Sequence, residues 1–215
     1  MEGFILVKFE RTKVYNFEEA FYGMRLPMNS HHKSDSCQKP YGYDIGDNDL
    51  ALAQRLIRGG SEHRKFLRQI LVSVTITAPI YWWKEFDTYK VGVTANSTST
   101  MHKLKDSPIT LECFETDDFS EDLQEVRQAD YVITWLEALR KKYMETNDKR
   151  YWKELVRWLP SSWLQTRTVT MNYENIRNMY FQRKNHKLTE WSVSFIDWVQ
   201  SLPYSVELIM YKGAK

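Results

Sequence analysis

A loop rich in small hydroxyl side chains, VGVTANSTST at residues 91–100, is the first segment whose composition suggests chemistry. Asn96, Ser97 and Ser99 carry amide and hydroxyl groups, which can bind a phosphate together with loop N–H groups. The same residue types are also common in ordinary turns. The composition therefore leaves two interpretations open, a phosphate-binding loop and a plain turn.

Two histidines and a cysteine form the one pattern that suggests a metal. His31 and His32 are followed by Cys37, but this spacing fits no compact zinc pattern and no second pair follows. The other cysteine, Cys113, belongs to no CxxC motif, and two thiols cannot build a disulfide framework. We therefore expect no bound metal and a reduced, cytoplasmic protein.

The overall composition is typical of a folded protein with balanced charge. The 215 residues include 30 Lys and Arg against 28 Asp and Glu, so the net charge is only +2. This balance argues against binding to a nucleic-acid polymer or a membrane surface. The apolar run at 4–7 is too short for a signal peptide or a membrane span. We expect one soluble domain over residues 1–215.

Hydrophobic patterning predicts the strands and helices that would position these residues. Strands are predicted at 4–9, 70–77 and 163–171, and helices at 49–58, 80–89, 118–144, 148–158, 173–182 and 188–200. The 70–77 segment alternates strictly between apolar and hydroxyl side chains, as a half-buried strand does. This order of elements predicts an α+β fold with a mixed or antiparallel sheet flanked by long helices.

Local signals also predict how three of these segments begin or end. Asp118, with Glu121 three residues on, has the pattern of a capping box at the start of the longest helix. Asp47 or Asn48 can cap the 49–58 helix. Residues 22–49 are rich in Gly, Pro, Ser, Asn and Asp, and we expect a long polar loop or lid there.

Two separate segments resemble the flavin-dependent thymidylate synthases. In the first, His63, APIY at 78–81 and NSTSTMH at 96–102 resemble the family's histidine near the flavin, its A-P-I-F turn and its NExSxRY loop. The second segment, 159–191, is similar to the family's second half. It carries the matching residues Leu159, Pro160, Thr170, Asn172 and Arg183. Both matches occur in the family's order, so the resemblance implies the family's α+β fold.

The resemblance also implies an activity. That family methylates the uracil ring of deoxyuridine monophosphate (dUMP), with methylenetetrahydrofolate as one-carbon donor, reduced FAD as hydride source and NADPH as reductant of the flavin. Its members form homotetramers whose active sites are shared between subunits, so we expect a homo-oligomer. Trp82 and Trp83 are expected in the core or at a subunit interface. Because they point about 100° apart on a helix, one of them is a candidate for a subunit contact.

Positions within the family's motifs imply the site residues. FAD is expected to contact His63, Lys90, Asn172 and Arg183, and the nucleotide is expected to contact Tyr89, Asn96, Ser97, Ser99 and Arg157. The resemblance identifies no catalytic residue in this chain. Ordinary alternatives stay open for each, because His63 fits a surface histidine and Lys90 or Arg183 fits a solvated helix end.

The chain departs from the family mainly at charged positions. Tyr89-Lys90-Val91 replaces the Arg-His-Arg signature, Glu85 replaces a Gln, and Met101 replaces the loop arginine. Arg157 lies one residue closer to the proline than the family's arginine does. Because Lys cannot reproduce the planar fork of Arg, we expect poor turnover of dUMP or a different nucleotide substrate. A non-catalytic binding protein that kept the fold, and an unrelated α+β module, remain alternatives.

Overall fold

The computed structural model describes residues 7–99, 104–117 and 124–213, which divide into two compact units. Unit 1 consists of the described residues of Met1–Lys8, Ile76–Thr88 and Asn96–Arg167. Unit 2 consists of the described residues of Phe9–Thr75, Tyr89–Ala95 and Thr168–Lys215. The expectation of one domain over the whole chain stays a prediction.

Six strands and seven α-helices occur in the described part of the chain. The strands are β1 Lys8–Tyr15, β2 Cys37–Lys39, β3 Gly42–Asp44, β4 Leu71–Pro79, β5 Thr94–Ser97 and β6 Leu164–Asn172. The helices are α1 Phe17–Arg25, α2 Asp47–Arg58, α3 Ile80–Phe86, α4 Glu125–Thr146, α5 Lys149–Trp158, α6 Tyr173–Arg183 and α7 Ile196–Gln200. Short 3-10 turns lie at Leu26–Met28, His31–Lys33, Lys65–Arg68 and Leu111–Cys113, and π-helical turns at Glu190–Phe195 and Ser205–Ile209.

Four strands form one sheet in the order β1-β4-β6-β5, and β2 pairs with β3 in a separate antiparallel hairpin. The strand predicted at 70–77 is β4, and its apolar residues Val72, Val74 and Ile76 are buried as the alternation requires. Together with the helices, this arrangement confirms the predicted α+β class.

Unit 1 is built around aromatic and aliphatic side chains. Trp82, Trp83 and Phe86 of α3 are buried against one another, with ring centroids 5.0–5.3 Å apart. A second buried cluster contains Leu104, Ile109, Phe114, Leu136 and Leu155. Both tryptophans are fully buried, which confirms the core alternative, and the expectation that one of them reaches a subunit contact is wrong.

Unit 2 has its own aromatic core. The ring of Phe17 meets the edge of Tyr173 at 5.6 Å, and Phe21 meets Phe66 at 5.8 Å. The hydroxyl of Tyr173 donates to the carbonyl of Pro203 at 2.7 Å, which satisfies its polar end inside the core. Burial raises the pKa of this hydroxyl well above its usual value.

The structure shifts the boundaries of several predicted elements. The first strand, predicted at 4–9, is β1 and runs from Lys8 to Tyr15, while residues 4–6 lie outside the described part. The longest helix, predicted from Asp118, is described from Glu125 to Thr146. Its predicted capping residues, Asp118 and Glu121, lie outside the described residues, so that capping box stays a prediction.

The segment 22–49, predicted as a long polar loop or lid, contains regular structure. It includes the end of α1, two 3-10 turns and the β2–β3 hairpin. Neither Asp47 nor Asn48 caps α2, whose cap residue is Gly46. Instead the carboxylate of Asp35 accepts hydrogen bonds from the backbone N–H groups of Asn48 (2.8 Å) and Asp49 (3.0 Å). A residue that lies just before the hairpin therefore satisfies the helix N-terminus.

Candidate functional site

The residues expected to bind FAD all belong to unit 2, and so does Tyr89 from the nucleotide set. The other expected nucleotide contacts, Asn96, Ser97, Ser99 and Arg157, belong to unit 1.

In unit 2 the structure brings Tyr89 and Arg183 into direct contact. Arg183 Nε donates to the Tyr89 hydroxyl at 2.9 Å, and that hydroxyl donates to Gln182 Oε1 at 3.0 Å. The guanidinium of Arg183 also lies over the ring of Tyr89, at 5.5 Å, and over the ring of Trp191, at 4.9 Å. Two aromatic rings thus fix the position of this cation at the end of α6.

Asn172 begins α6 as its N-cap. Its side chain accepts from the backbone N–H of Asn175 at 3.0 Å, and Asn175 Oδ1 accepts from the N–H of Asn172 at 3.2 Å. Asn175 Nδ2 also donates to the carbonyl of Val91 at 2.7 Å. Gly92 approaches so closely that a Cβ there would lie 3.1 Å from Asn172 Nδ2, and its φ is +76°. The capping box therefore also anchors the 89–95 loop.

Lys90 lies in that loop and not at a helix end. The helix predicted over 80–89 ends at Phe86, because the Thr88 hydroxyl and N–H both donate to the Glu85 carbonyl and close the last turn. The ammonium of Lys90 is exposed and has no hydrogen-bond or ion-pair partner among the described residues. It is therefore available to an anion.

His63 lies apart from these contacts, just after α2. Its ring packs against the backbone of Gly59, where a Cβ would lie 3.1 Å from the imidazole. The imidazole has no hydrogen-bond partner within the described ranges. His63 lines an open cavity of about 780 Å³ formed by unit 2 residues. The 22–58 segment contributes Arg25, Lys33 and Arg55 to the same cavity.

In unit 1 the hydroxyl-rich segment is extended. Asn96 and Ser97 end the exposed strand β5, and Ser99 is half-buried. Thr98, which the sequence did not single out, makes the anchoring contacts. Its N–H and hydroxyl both donate to the Thr166 carbonyl, at 2.9 and 3.1 Å. The predicted plain turn is wrong for Asn96 and Ser97, whereas phosphate binding here stays a prediction.

The two arginines of unit 1 that bear on the nucleotide prediction have protein partners. Arg157 is exposed on α5, and its Nη1 lies 2.5 Å from Glu154 one turn earlier. The second of these arginines is Arg167 of β6. It pairs with Asp87 at 2.8 Å and lies over the Trp83 ring at 4.2 Å. No local sequence pattern indicates this partner, because Asp87 is far away along the chain.

The structure also tests whether the described residues could form a metal site or a membrane-spanning helix. His31, from the His-His-Cys pattern, stacks on the Tyr22 ring at 4.2 Å. Within the described ranges no three His, Cys, Asp or Glu side chains are grouped as a metal site. No helix in the described part of the chain is long and apolar enough to cross a membrane.

Comparison with known proteins identifies the fold. The flavin-dependent thymidylate synthase ThyX from Helicobacter pylori, complexed with FAD and dUMP, matches with a TM-score of 0.67 and 18% identity. The match covers 94% of this chain and 97% of that one. A second structure of the H. pylori enzyme with FAD and dUMP gives 0.70 and 18%, over 94% and 96%. No protein-family model and no curated protein matches the sequence.

This chain has the α+β fold of these synthases. The structural match extends over nearly the whole length of both proteins, so it is not limited to one motif or a few elements. The order of the sequence motifs from His63 to Arg183 had implied the same fold.

Proposed function

We propose that this protein is a divergent flavin-dependent thymidylate synthase-like enzyme that binds FAD and methylates a pyrimidine nucleotide, dUMP or a relative. The observation that carries the proposal is the likeness of 94% of the chain to structures of a synthase holding FAD and dUMP. Methylenetetrahydrofolate would be the one-carbon donor and NADPH the reductant of the flavin.

The donor set of unit 2 fits an anionic cofactor such as FAD. Lys90 offers an ammonium with no partner among the described residues, and Arg183 offers a guanidinium held by two rings. Asn172 fixes the loop that carries Lys90, and His63 adds an exposed imidazole. FAD would supply the hydride. These residues would bind its phosphates and orient it, since cations favour phosphate oxygens.

The nucleotide would use the remaining predicted residues. Asn96, Ser97 and Ser99 offer hydroxyl and amide groups on and after β5, and Tyr89 offers a phenol beside Arg183. Arg157 contributes least, because Glu154 already holds its guanidinium on the same helix. A phosphate monoester brings about two negative charges near pH 7. Few matched cations remain for it, which supports slow turnover or a changed substrate.

A second candidate is a non-catalytic protein that kept the fold and lost the site. The observation that favours it is the pairing of the unit 1 arginines. Arg157 and Arg167 contact Glu154 and Asp87, so each guanidinium is at least partly neutralised within the protein. In this alternative the protein binds a nucleotide or a partner without flavin chemistry.

One experiment separates the two candidates. The purified protein is examined for flavin absorbance, then assayed for product from dUMP, methylenetetrahydrofolate, FAD and NADPH, beside the H. pylori enzyme. We expect bound flavin, and turnover several orders of magnitude below that of the H. pylori enzyme. Each missing hydrogen-bond donor to the transition state raises the activation free energy by about 2.7–4 kcal/mol. A protein that binds no flavin would favour the non-catalytic alternative. Turnover equal to that of the H. pylori enzyme would contradict the expected loss.

The proposal includes self-association, with a tetramer as the expected state. Unit 1 exposes large aromatic side chains on α4 and α5: Tyr131 is 77% exposed, Trp135 39% and Trp158 55%. Exposed aromatic groups of this kind are enriched at protein interfaces. Sedimentation velocity at micromolar concentration should therefore show a species several times heavier than 25.8 kDa. A purely monomeric boundary would remove oligomerisation from the proposal.

A further inference from the structure

In unit 2, the loop that carries Lys90 is attached to α6 at two places. At the C-terminal end of the helix, Arg183 Nε donates to the Tyr89 hydroxyl at 2.9 Å. Near the N-terminal end, Asn175 Nδ2 donates to the Val91 carbonyl at 2.7 Å. Because Lys90 lies between Tyr89 and Val91, its backbone is held from both sides.

The two polar atoms of the Asn175 side chain serve different parts of the structure. Oδ1 accepts from the N–H of Asn172 at 3.2 Å and completes the capping box of α6. That motif needs only an acceptor at this position, and Glu commonly supplies it. The amide nitrogen of Asn175 is therefore not required by the helix. Its partner is the Val91 carbonyl, 84 positions away in the sequence.

The backbone of the loop is shaped to allow this contact. Gly92 has a φ of +76°, in the left-handed region that favours glycine. A Cβ at Gly92 would lie 3.1 Å from Asn172 Nδ2 and 3.3 Å from Asn175 Oδ1. The N–H of Val93 donates to the Lys90 carbonyl at 3.2 Å, which closes the turn. A side chain at position 92 would push the loop away from α6.

Lys90 is the group that this arrangement presents to solvent. Its ammonium is exposed and has no hydrogen-bond or ion-pair partner among the described residues. A ligand that binds an already ordered segment loses less affinity to the ordering of that segment. Arg183 differs from Lys90, because two aromatic rings fix its guanidinium directly. The position of Lys90 depends instead on the backbone on either side of it.

We propose that Asn175 is a positioning residue, which holds the Val91 carbonyl so that the ammonium of Lys90 lies where it contacts FAD. This inference rests on the proposed function, because FAD is the ligand that Lys90 is expected to bind. Asn175 acts through the loop and does not itself contact the cofactor. The role depends on Nδ2, whereas the capping of α6 depends on Oδ1.

Asn175→Asp separates these two roles. The variant keeps an oxygen that accepts from the N–H of Asn172, and it places a negative charge near a helix N-terminus, where such a charge is favourable. It removes the donor to Val91. Fluorescence quenching of added FAD should show affinity about three- to tenfold weaker than in the parent. Asn185→Asp is the matched control, because it makes the same change at an exposed asparagine of unit 2 beyond the end of α6.

A Lys90→Gln background distinguishes positioning from a general effect of charge or folding. There Asn175→Asp should cause no further loss of FAD affinity, because the cation that it positions is absent. Gly92→Ala disturbs the same loop without a change of charge. It should weaken FAD binding in the parent and likewise have no effect in Lys90→Gln. An equal loss in both backgrounds would overturn the proposal.

The FAD affinity of the parent distinguishes failure of this inference from failure of the proposed function. If the parent binds no FAD, the proposed function fails, and the role of Asn175 fails with it. If the parent binds FAD but Asn175→Asp binds it as tightly as Asn185→Asp does, the proposed function stands and the positioning role is overturned.

Discussion

The two units differ in how deeply their polar and charged side chains are buried. Among the described residues, every buried polar or charged side chain lies in unit 2: Arg25, Asp49, Asn172, Glu174, Arg177, Glu190 and Ser205. Unit 1 includes exposed pairs between residues close in sequence, as in Arg150 with Asp148 and Arg157 with Glu154. Surface pairs of this kind contribute little to stability, whereas buried ones constrain geometry.

The buried charges of unit 2 connect elements that are distant in sequence. Arg177 Nη1 donates to the carbonyls of Ile209 and Tyr211, both at 2.6 Å, and burial lowers the pKa of its guanidinium to about 10. Arg64 joins Glu174 at 2.9 Å. Because an unpaired buried charge is costly, each of these contacts fixes its element in place. A binding site requires polar groups that are held in place before the ligand arrives. Unit 2 is therefore better suited than unit 1 to carry a ligand-binding site.

The largest expected effect concerns the buried pair of unit 2. Asp49→Ala leaves Arg25 buried without its counter-ion and should cost about 3–5 kcal/mol of unfolding free energy. Glu154→Ala is the matched control in unit 1. It removes the partner of the exposed Arg157 and should change stability by less than about 1 kcal/mol. Denaturant titration of both variants measures the difference, and equal effects would break the contrast between the units.

The dependence of stability on pH is a second way to measure how much the Arg25–Asp49 pair stabilises the fold. The pKa of Asp49 is lowered in the folded state, so its contribution exists above the unfolded carboxyl pKa and is lost as the pH falls through the folded value. The stability difference between the parent and Asp49→Asn should therefore be full at neutral pH. It should shrink below about pH 3.9. A difference that stayed constant to pH 2 would show that the carboxylate charge is not what stabilises Arg25.

Local sequence patterns predicted the strands and helices that form because of residues close together in the chain. β4 follows from its strict alternation, and α5 begins where Asp148 accepts from the N–H of Arg150 at 2.9 Å. The α+β class follows from the order of such elements. The fold family came from matched motifs, which record a resemblance and no physical cause.

The missed features depend on contacts between distant residues. Asp35 accepts from the N-terminus of α2 across 13 positions of sequence, and Asp49 meets Arg25 across 24 positions. Arg183 reaches Tyr89 across 94 positions. No window of sequence contains both partners, so the types of the site residues could be predicted but their pairing could not.

The smallest expected effect compares one arginine from each unit. Arg183→Ala removes a cation held by Tyr89 and Trp191, and should weaken FAD binding about tenfold if FAD contacts it as proposed. Arg157→Ala removes an exposed cation already paired with Glu154, so FAD affinity should be unchanged and stability should shift by less than about 0.5 kcal/mol. Fluorescence quenching of added FAD measures both affinities.

Tyr89→Phe sharpens this comparison, because it keeps the ring under Arg183 and removes only the hydroxyl that accepts from Nε at 2.9 Å. If the rings position the cation, this variant should lose less FAD affinity than Arg183→Ala does. A loss as large as that of Arg183→Ala would mean that the hydroxyl, and not the stacking, orients the guanidinium. Equal FAD affinity in Arg183→Ala and Arg157→Ala would remove Arg183 from the cofactor site. The aromatic contacts that hold Arg183 in unit 2 would then make it no better a ligand for FAD than the exposed Arg157 of unit 1.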